Sequence, residues 1–262
     1  MSNPTYASYL ALDELLGCLR PASDHPDERL FIILHQTKEL WLRQILEELD
    51  AAQARIETGE LTQAYKNLAR VSRIQAVMTL SWDVLATMTP ADYTSFRSVL
   101  GTSSGFQSDQ FRMMEYRLGL KDGAFLKYQD DRPDAQARMK TALEGPSLYD
   151  AVIVRLALAG FPIPDSVLKR DVSQAYEPSQ AVEDAWLAVY TDTEKYWDLY
   201  QLAEKLVDLD DALLTWRQKH ATTVERIIGQ KRGTGGTDGV GYLKATFARR
   251  CFPELWSVRT RM

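Results

Sequence analysis

An all-α fold, a single helical domain of bundle-like build, is predicted by three features of the 262-residue sequence. Apolar residues recur at three- and four-residue spacing over long stretches, the pattern of one buried helix face. Caps, prolines and glycines punctuate those stretches where helices should start and stop. No run of period-two alternation rivals any of the helical patterns.

The first long pattern runs from Asp27 to about Ile56, with Leu42, Ile45, Leu46, Leu49 and Ile56 on one face. A second extends from Glu60 to Met88 through Leu61, Tyr65, Leu68, Val71, Met78, Trp82 and Leu85. Thr89-Pro90-Ala91-Asp92 then reads as a helix start: threonine caps, proline suits the first helical position, and the aspartate answers the cap's own N–H. That helix should end near Leu100, because Gly101-Thr102-Ser103-Ser104-Gly105 is a turn-rich break. Phe106 to Leu118 is helical again and stops at Gly119. The polar stretch from Lys121 to Gly145, with Asp130-Asp131-Arg132-Pro133 inside it, predicts a loop with weak helix. Ser147 to Leu158 is a capped helix closed by Gly160, Pro162 and Pro164. Two more helices are expected at Pro178 to Val207 and Leu209 to Ile228. With no repeat and no linker, residues 1–262 read as one domain.

Composition narrows the function classes. Hydrophobic residues make up 45% and charged residues 26%, the balance of a globular chain with a core. A formal net charge of −5 leaves no basic stripe for nucleic acid, and Arg249-Arg250 is too short a run to matter. The two cysteines, Cys18 and Cys251, exclude a disulfide framework and a CxxC metal site and suit a reducing compartment. Met1 to Leu10 lacks the basic-then-apolar order of a secretory leader. The longest apolar runs, such as Ala151 to Phe161, fall well short of the roughly 20 residues that span a bilayer. A cytoplasmic protein without a membrane partner is expected.

Three histidines, His25, His35 and His220, are candidates for chemistry. His220 lies in the stripe Leu213, Trp216, Val224, Ile227, the inward face of its helix. It is either a core histidine with a backbone partner or an axial haem ligand whose other nitrogen Glu225 or a carbonyl could orient; position alone leaves both open. His35 follows Phe31 by one turn, and a structural role is its default. No HExxH or related spacing exists, so zinc is not expected. Tyr93 and Arg97, one turn apart, share a helix face beside the Gly101–Gly105 break. They are either surface packing or a hydroxyl and guanidinium fork for a carboxylate. Arg232 to Gly241 holds five glycines in ten residues. It fits neither a P-loop nor GxGxxG and follows a helix, so it is either a plain flexible loop or one that closes over a ligand.

Taken together, the segments resemble the tryptophan 2,3-dioxygenase family. The matching pieces are Leu30-Phe31-Ile32-Ile33-Leu34-His35-Gln36 with Glu39-Leu40-Trp41, then Phe96-Arg97 through Ser103-Ser104-Gly105-Phe106-Gln107-Ser108. The longest match runs from His220-Ala221-Thr222-Thr223-Val224-Glu225-Arg226 through Lys231-Arg232-Gly233-Thr234-Gly235-Gly236-Thr237 and Gly239-Val240-Gly241-Tyr242-Leu243 to Phe252-Pro253-Glu254-Leu255-Trp256. Tyr6 to Leu16 also fits. Two departures stand out: His25-Pro26-Asp27-Glu28-Arg29-Leu30-Phe31 replaces the family's usual HDEMLF, and the region from about Lys121 to Gln174 is dissimilar.

The resemblance implies haem b held by His220 as proximal ligand to the iron, and His35 on the distal side hydrogen-bonding an indole N–H. It implies Arg97 with Tyr93 on the substrate carboxylate and Thr234 on the ammonium, with Phe31, Trp82, Leu100, Ser104 and Gly105 shaping the haem and indole pocket. Tyr6, Tyr9 and Leu10, within an N-terminal segment 1–20, would reach a neighbouring subunit's site, which implies a homotetramer. The implied reaction inserts dioxygen across the indole C2–C3 bond of L-tryptophan to give N-formylkynurenine, a catabolic oxidation. Two rivals are a monooxygenase of the same superfamily forming a 2-oxindole from tryptophan or a substituted tryptophan, and a non-catalytic haem or tryptophan sensor.

Overall fold

Two long helices and the one between them carry the architecture. The computed structural model describes residues 3–236 and 238–262, so Thr237 of the glycine-rich stretch lies outside the described residues. Short turns α1 (Tyr6–Tyr9) and α2 (Leu12–Gly17) precede α3 (Pro26–Thr58), which begins with His25 as N-cap and Pro26 in the first turn. It stops at Gly59, whose φ of 84° suits glycine at a helix C-terminus. Next comes α4 (Leu61–Leu85), then α5 (Pro90–Phe96). Later in the chain α11 (Trp197–Ile228) runs for 32 residues, roughly 48 Å at the helical rise. Helix α4 packs extensively on both α3 and α11. Its apolar residues at three- and four-residue spacing, Leu68, Val71, Ile74, Met78, Trp82 and Leu85, are buried, so the helix lies between two partners.

The predicted start at Thr89 is present as a reciprocal box: Thr89 caps Asp92 N–H while the Asp92 carboxylate accepts from Thr89 N–H at 2.9 Å. The helix ends earlier than Leu100, at Phe96, and tightens into a 3₁₀ turn, Arg97–Leu100, before a second one at Gly105–Gln107. After α6 (Asp109–Arg117) the chain departs from the sequence expectation. The polar region Lys121–Gly145 contains a 3₁₀ segment, Gly123–Gln129, and a full helix, α7 (Pro133–Glu144). Its buried face is Ala135, Met139, Ala142 and Leu143, with one large aliphatic residue only in its last turn, a pattern that a search for large hydrophobes passes over. Its last carbonyls are held by Lys121, whose buried Nζ donates to Ala142, Leu143 and Gly145 at 2.7 to 2.9 Å.

Helix α8 (Leu148–Leu158) starts at Ser147 with the predicted box to Asp150. After a short α9 (Asp165–Leu168), the next break falls elsewhere than expected. The chain is helical over α10 (Gln180–Thr191), turns at Asp192–Tyr196, and then α11 continues unbroken through the acidic run at Asp208 to Asp211. Asp192 makes the turn, accepting from Lys195 N–H. Asp210 does not break the helix because its side chain points inward, taking Cys251 N–H at 3.1 Å and Trp256 Nε1–H at 2.8 Å. Two short helices, α12 (Val240–Ala245) and α13 (Pro253–Ser257), close the chain. No strand occurs and no helix is long and apolar enough to cross a membrane, among the described residues.

The main core gathers α3, α4, α8, α10 and α11. A second apolar cluster, Leu34, Trp82, Leu85, Met88, Phe96 and Ile227, sits at one end of the α3–α4–α11 layer, joined by Phe31, Tyr93, Leu100, Trp216 and Ile228. The candidate site lies there.

Candidate active site

Residues one and two turns apart on α3 build one wall. Phe31, His35, Lys38 and Leu42 fall at three- and four-residue intervals and all line one cavity. Opposite them α11 presents Trp216, His220, Val224 and Ile227, and α4 supplies Met78, Trp82 and Leu85. The turn after α5 gives Ser103, Ser104 and Gly105, and the glycine-rich stretch gives Gly233, Thr234 and Gly239. The cavity is open to solvent on one side, and its wall is mainly apolar.

The two imidazoles are both held neutral. His35 is lowered to about 4, first by burial, then by the Lys38 charge, against the opposing pull of its bond to Phe31. His220 is lowered to about 3 by burial, then by the charges of Lys38 and His35. A carbonyl can only accept, so the 2.7 Å contact between His35 Nδ1 and the Phe31 oxygen puts the proton on Nδ1. Nε2 then keeps its lone pair. The Phe31 ring, with its centroid 4.2 Å from that of His35, fixes the imidazole plane. His220 stacks on Trp82 at 4.3 Å with planes 8° apart and meets Trp216 at 5.1 Å. Glu225 does not orient His220: its carboxylate is engaged by Gln230 and Lys244.

Tyr93 lines the cavity, and burial raises its hydroxyl pKa, with the Arg97 charge opposing. Arg97 does not line the cavity; its Nη2 donates to the Arg232 carbonyl at 2.6 Å. Thr234 Oγ1 donates to the Ser103 carbonyl at 2.6 Å. The glycine-rich stretch is therefore fastened at both points to the α5 end of the site. Gly235 makes this fit possible, since a Cβ there would overlap the Phe106 ring and crowd Ser104. Gly239, with φ of 59°, would drive a Cβ into the Lys231 carbonyl. Leu100 packs in the apolar cluster behind the cavity rather than lining it. Tyr6 and Tyr9, each 77% exposed, and Leu10 stand away from this chain's own cavity.

Two features escape the sequence reading, and a third, Trp216, is expected there on the inward helix face but not as part of the site. Lys38 is only 6% exposed, lies over the Trp82 ring and has no hydrogen-bond partner among the described residues; burial lowers it to about 6. Its place three residues beyond His35 was the available signal. Trp216 enters as a wall residue with an unpartnered N–H. Arg112, Glu115 and Arg217 form a buried cluster at the cavity's polar edge, Arg217 meeting Glu115 at 2.8 Å and Arg112 meeting its other oxygen. Glu115 and Arg217 come from distant helices, so spacing could not reveal the pair. No group of three or more His, Cys, Asp or Glu side chains is placed to hold a bare metal ion, among the described residues.

Fold and site together define an all-helical protein with two histidines lining one mainly apolar cavity. The chain matches the family described as Tryptophan 2,3-dioxygenase over residues 1–262. It is similar to the tryptophan 2,3-dioxygenase of Caulobacter vibrioides, 66% identical over 258 residues, 98% of each chain. It is also similar to that of Bacillus thuringiensis, 55% identical over 260 residues, 99% of this chain and 93% of the other. The chain belongs to the tryptophan 2,3-dioxygenase family.

Proposed function

We propose that this chain binds haem b through His220 and acts as a tryptophan 2,3-dioxygenase, joining both atoms of dioxygen to the indole C2 and C3 of L-tryptophan to yield N-formylkynurenine. Family membership supports the activity, and the residues present fit the haem. A neutral imidazole is the ligating form, and burial keeps His220 in it. The cavity wall is apolar, and Trp82 and Trp216 lend it unpartnered donors. Bound ferrous haem would supply the dioxygen chemistry; the protein's part is to bind, orient and exclude water.

The observation that carries the substrate assignment is the Phe31–His35 bond. It leaves His35 Nε2 as an acceptor for an indole N–H, so His35 positions the substrate. Phe31 packs against the indole, Tyr93 and Arg97 hold the carboxylate, and Thr234 meets the ammonium, with Ser104 and Gly105 beneath. The stretch from Arg232 to Gly241 serves as the lid. Tyr6, Tyr9 and Leu10 reach the site of a second copy in a homotetramer, which their exposure supports. Two free cysteines, Cys18 and Cys251, suit the cytoplasm.

The test is product mass. The reduced, haem-loaded protein is mixed with L-tryptophan in air. Gain of both oxygen atoms supports the reading, whereas gain of one would make the chain a 2-oxindole-forming monooxygenase, and binding without product would make it a sensor.

A further inference from the structure

Resting on the haem reading above, we propose that Lys38 is the cationic anchor for a carboxylate of the bound macrocycle, with the indole N–H groups of Trp82 and Trp216 as its neighbouring donors. Among the described residues, buried side-chain polar atoms without a partner are Lys38 Nζ, Trp82 Nε1, Trp216 Nε1 and Gln75 Oε1. Gln75 lies outside the cavity wall, but the other three all belong to residues that line it, and all three are donors. What is missing on that wall is an acceptor.

The charges say which kind. The lining carries Lys38, Arg112 and Arg217 against Glu39 and Glu115. Glu115 is taken by both arginines, and Glu39 accepts from Gln110 Nε2 at 2.8 Å. Lys38 has no partner among the described residues and burial lowers it to about 6, so a carboxylate beside it would draw a proton onto Nζ and pair with the charge. Its Nζ lies 2.8 Å from the Trp82 ring centroid, a contact that returns only part of the cost of a buried ammonium. A carboxylate would supply both the opposite charge and the acceptor oxygens.

Two bound molecules could bring one. Tryptophan has a carboxylate, but Tyr93 and Arg97 stand ready for it near the glycine-rich lid. Lys38 lies elsewhere: it covers Trp82, the same ring that stacks on His220. A carboxylate arriving with the group that His220 holds would meet it there, and haem carries propionates.

The experiment compares wild type, Lys38→Met and Lys38→Gln as haem-loaded proteins, each folded by circular dichroism. Haem loss is followed by transfer to excess apomyoglobin, once with natural haem and once with haem whose propionates are methyl esters. Lys38→Met should lose natural haem about ten- to a hundredfold faster, the scale of one charged buried hydrogen bond. With the ester the wild type should be as fast as the variants, and the substitution should add nothing. Without haem, Lys38→Met should melt above wild type, and with natural haem that order should reverse. Equal retention of natural haem by all three proteins would overturn the proposal, as would an equal acceleration with both haems. A defect confined to tryptophan affinity would assign Lys38 to the substrate instead. A wild type that takes up no haem would sink the functional reading itself; one that holds haem without help from Lys38 would sink this inference alone.

Discussion

Where α8, α10 and α13 meet, buried polar groups close on one another. Glu254 accepts from Tyr149 at 2.8 Å, Tyr176 at 2.5 Å and Ser179 N–H at 2.8 Å, and Trp186 Nε1 donates onward to Tyr149. Asp210 does the same for the α11–α13 junction. At the other end of the layer, the side-chain nitrogens of Lys38, Trp82 and Trp216 are also out of solvent but have no acceptor among the described residues. The polar groups at the first end complete the fold. Those at the second wait for something the chain itself does not supply, which is how a binding site differs physically from a core.

If that contrast holds, lesions at the closed end should act on unfolding and lesions at the cavity end on ligand and turnover. The largest effect is expected for Glu254→Ala. It strands two hydroxyls and an N–H in the core, and denaturant unfolding should show a loss of about 3 kcal/mol or more, with or without haem. A stable, haem-retaining Glu254→Ala would break the comparison. The same exchange made at both ends sharpens it. Trp256→Phe removes a donor from Asp210, whereas Trp216→Phe removes one that has no partner. In the haem-free protein the first should cost about 1.5–3 kcal/mol more than the second, because it leaves a carboxylate short of its charged bond.

Next in size is Arg97→Lys. If the guanidinium grips the substrate carboxylate through two parallel bonds, an ammonium cannot replace it, and kcat/KM should fall about ten- to a hundredfold with little change in melting temperature. Equal losses with tryptophan and tryptamine would show that Arg97 does not read the carboxylate. His35→Ala should be milder. As a positioning acceptor it is worth about 0.5–1.5 kcal/mol, so tryptophan turnover should drop roughly three- to tenfold. A fall of about 10² to 10⁴ would instead mark an obligatory base. 1-Methyltryptophan, lacking the N–H, should be used by the alanine variant at least as well as by wild type.

The smallest effect is a pH dependence at the entry to α3. The Glu28 carboxylate accepts from Ser23 Oγ and from the Ala22 and Ser23 N–H groups, each at 2.7 Å for the backbone donors, which hold it below its ordinary 4.5. The folded state then binds fewer protons than the unfolded one, so this contribution is present above about pH 4.5 and is lost as pH falls below it. Glu28→Gln should lower stability by less than about 1.5 kcal/mol at neutral pH and flatten the acid side of the melting curve. An unchanged acid slope would rule out the carboxylate as the source.

Much of the site was readable because helices translate spacing into direction. Phe31 and His35, or Trp216 and His220, must share a face once their segments are helical, and the caps at Thr89 and Ser147 were visible as local patterns. Helix α7 was not, because its buried face is two alanines and a methionine with a single leucine at its end, and their value comes only from what packs on them. The break at Asp192 and the continuity through Asp210 were likewise invisible: an aspartate ends a helix when its side chain turns back to the local backbone and is tolerated within one when a distant segment offers N–H groups. Sequence by itself determined the helical class, the α3 and α4 patterns, and the inward face on which His220 lies. Only the tertiary structure decided that α3, α4 and α11 enclose one cavity and that Lys38 is buried with no counter-charge. Those outcomes depend on which atoms face each other across helices far apart in the chain, and burial and pairing are properties of that meeting, not of the residues alone.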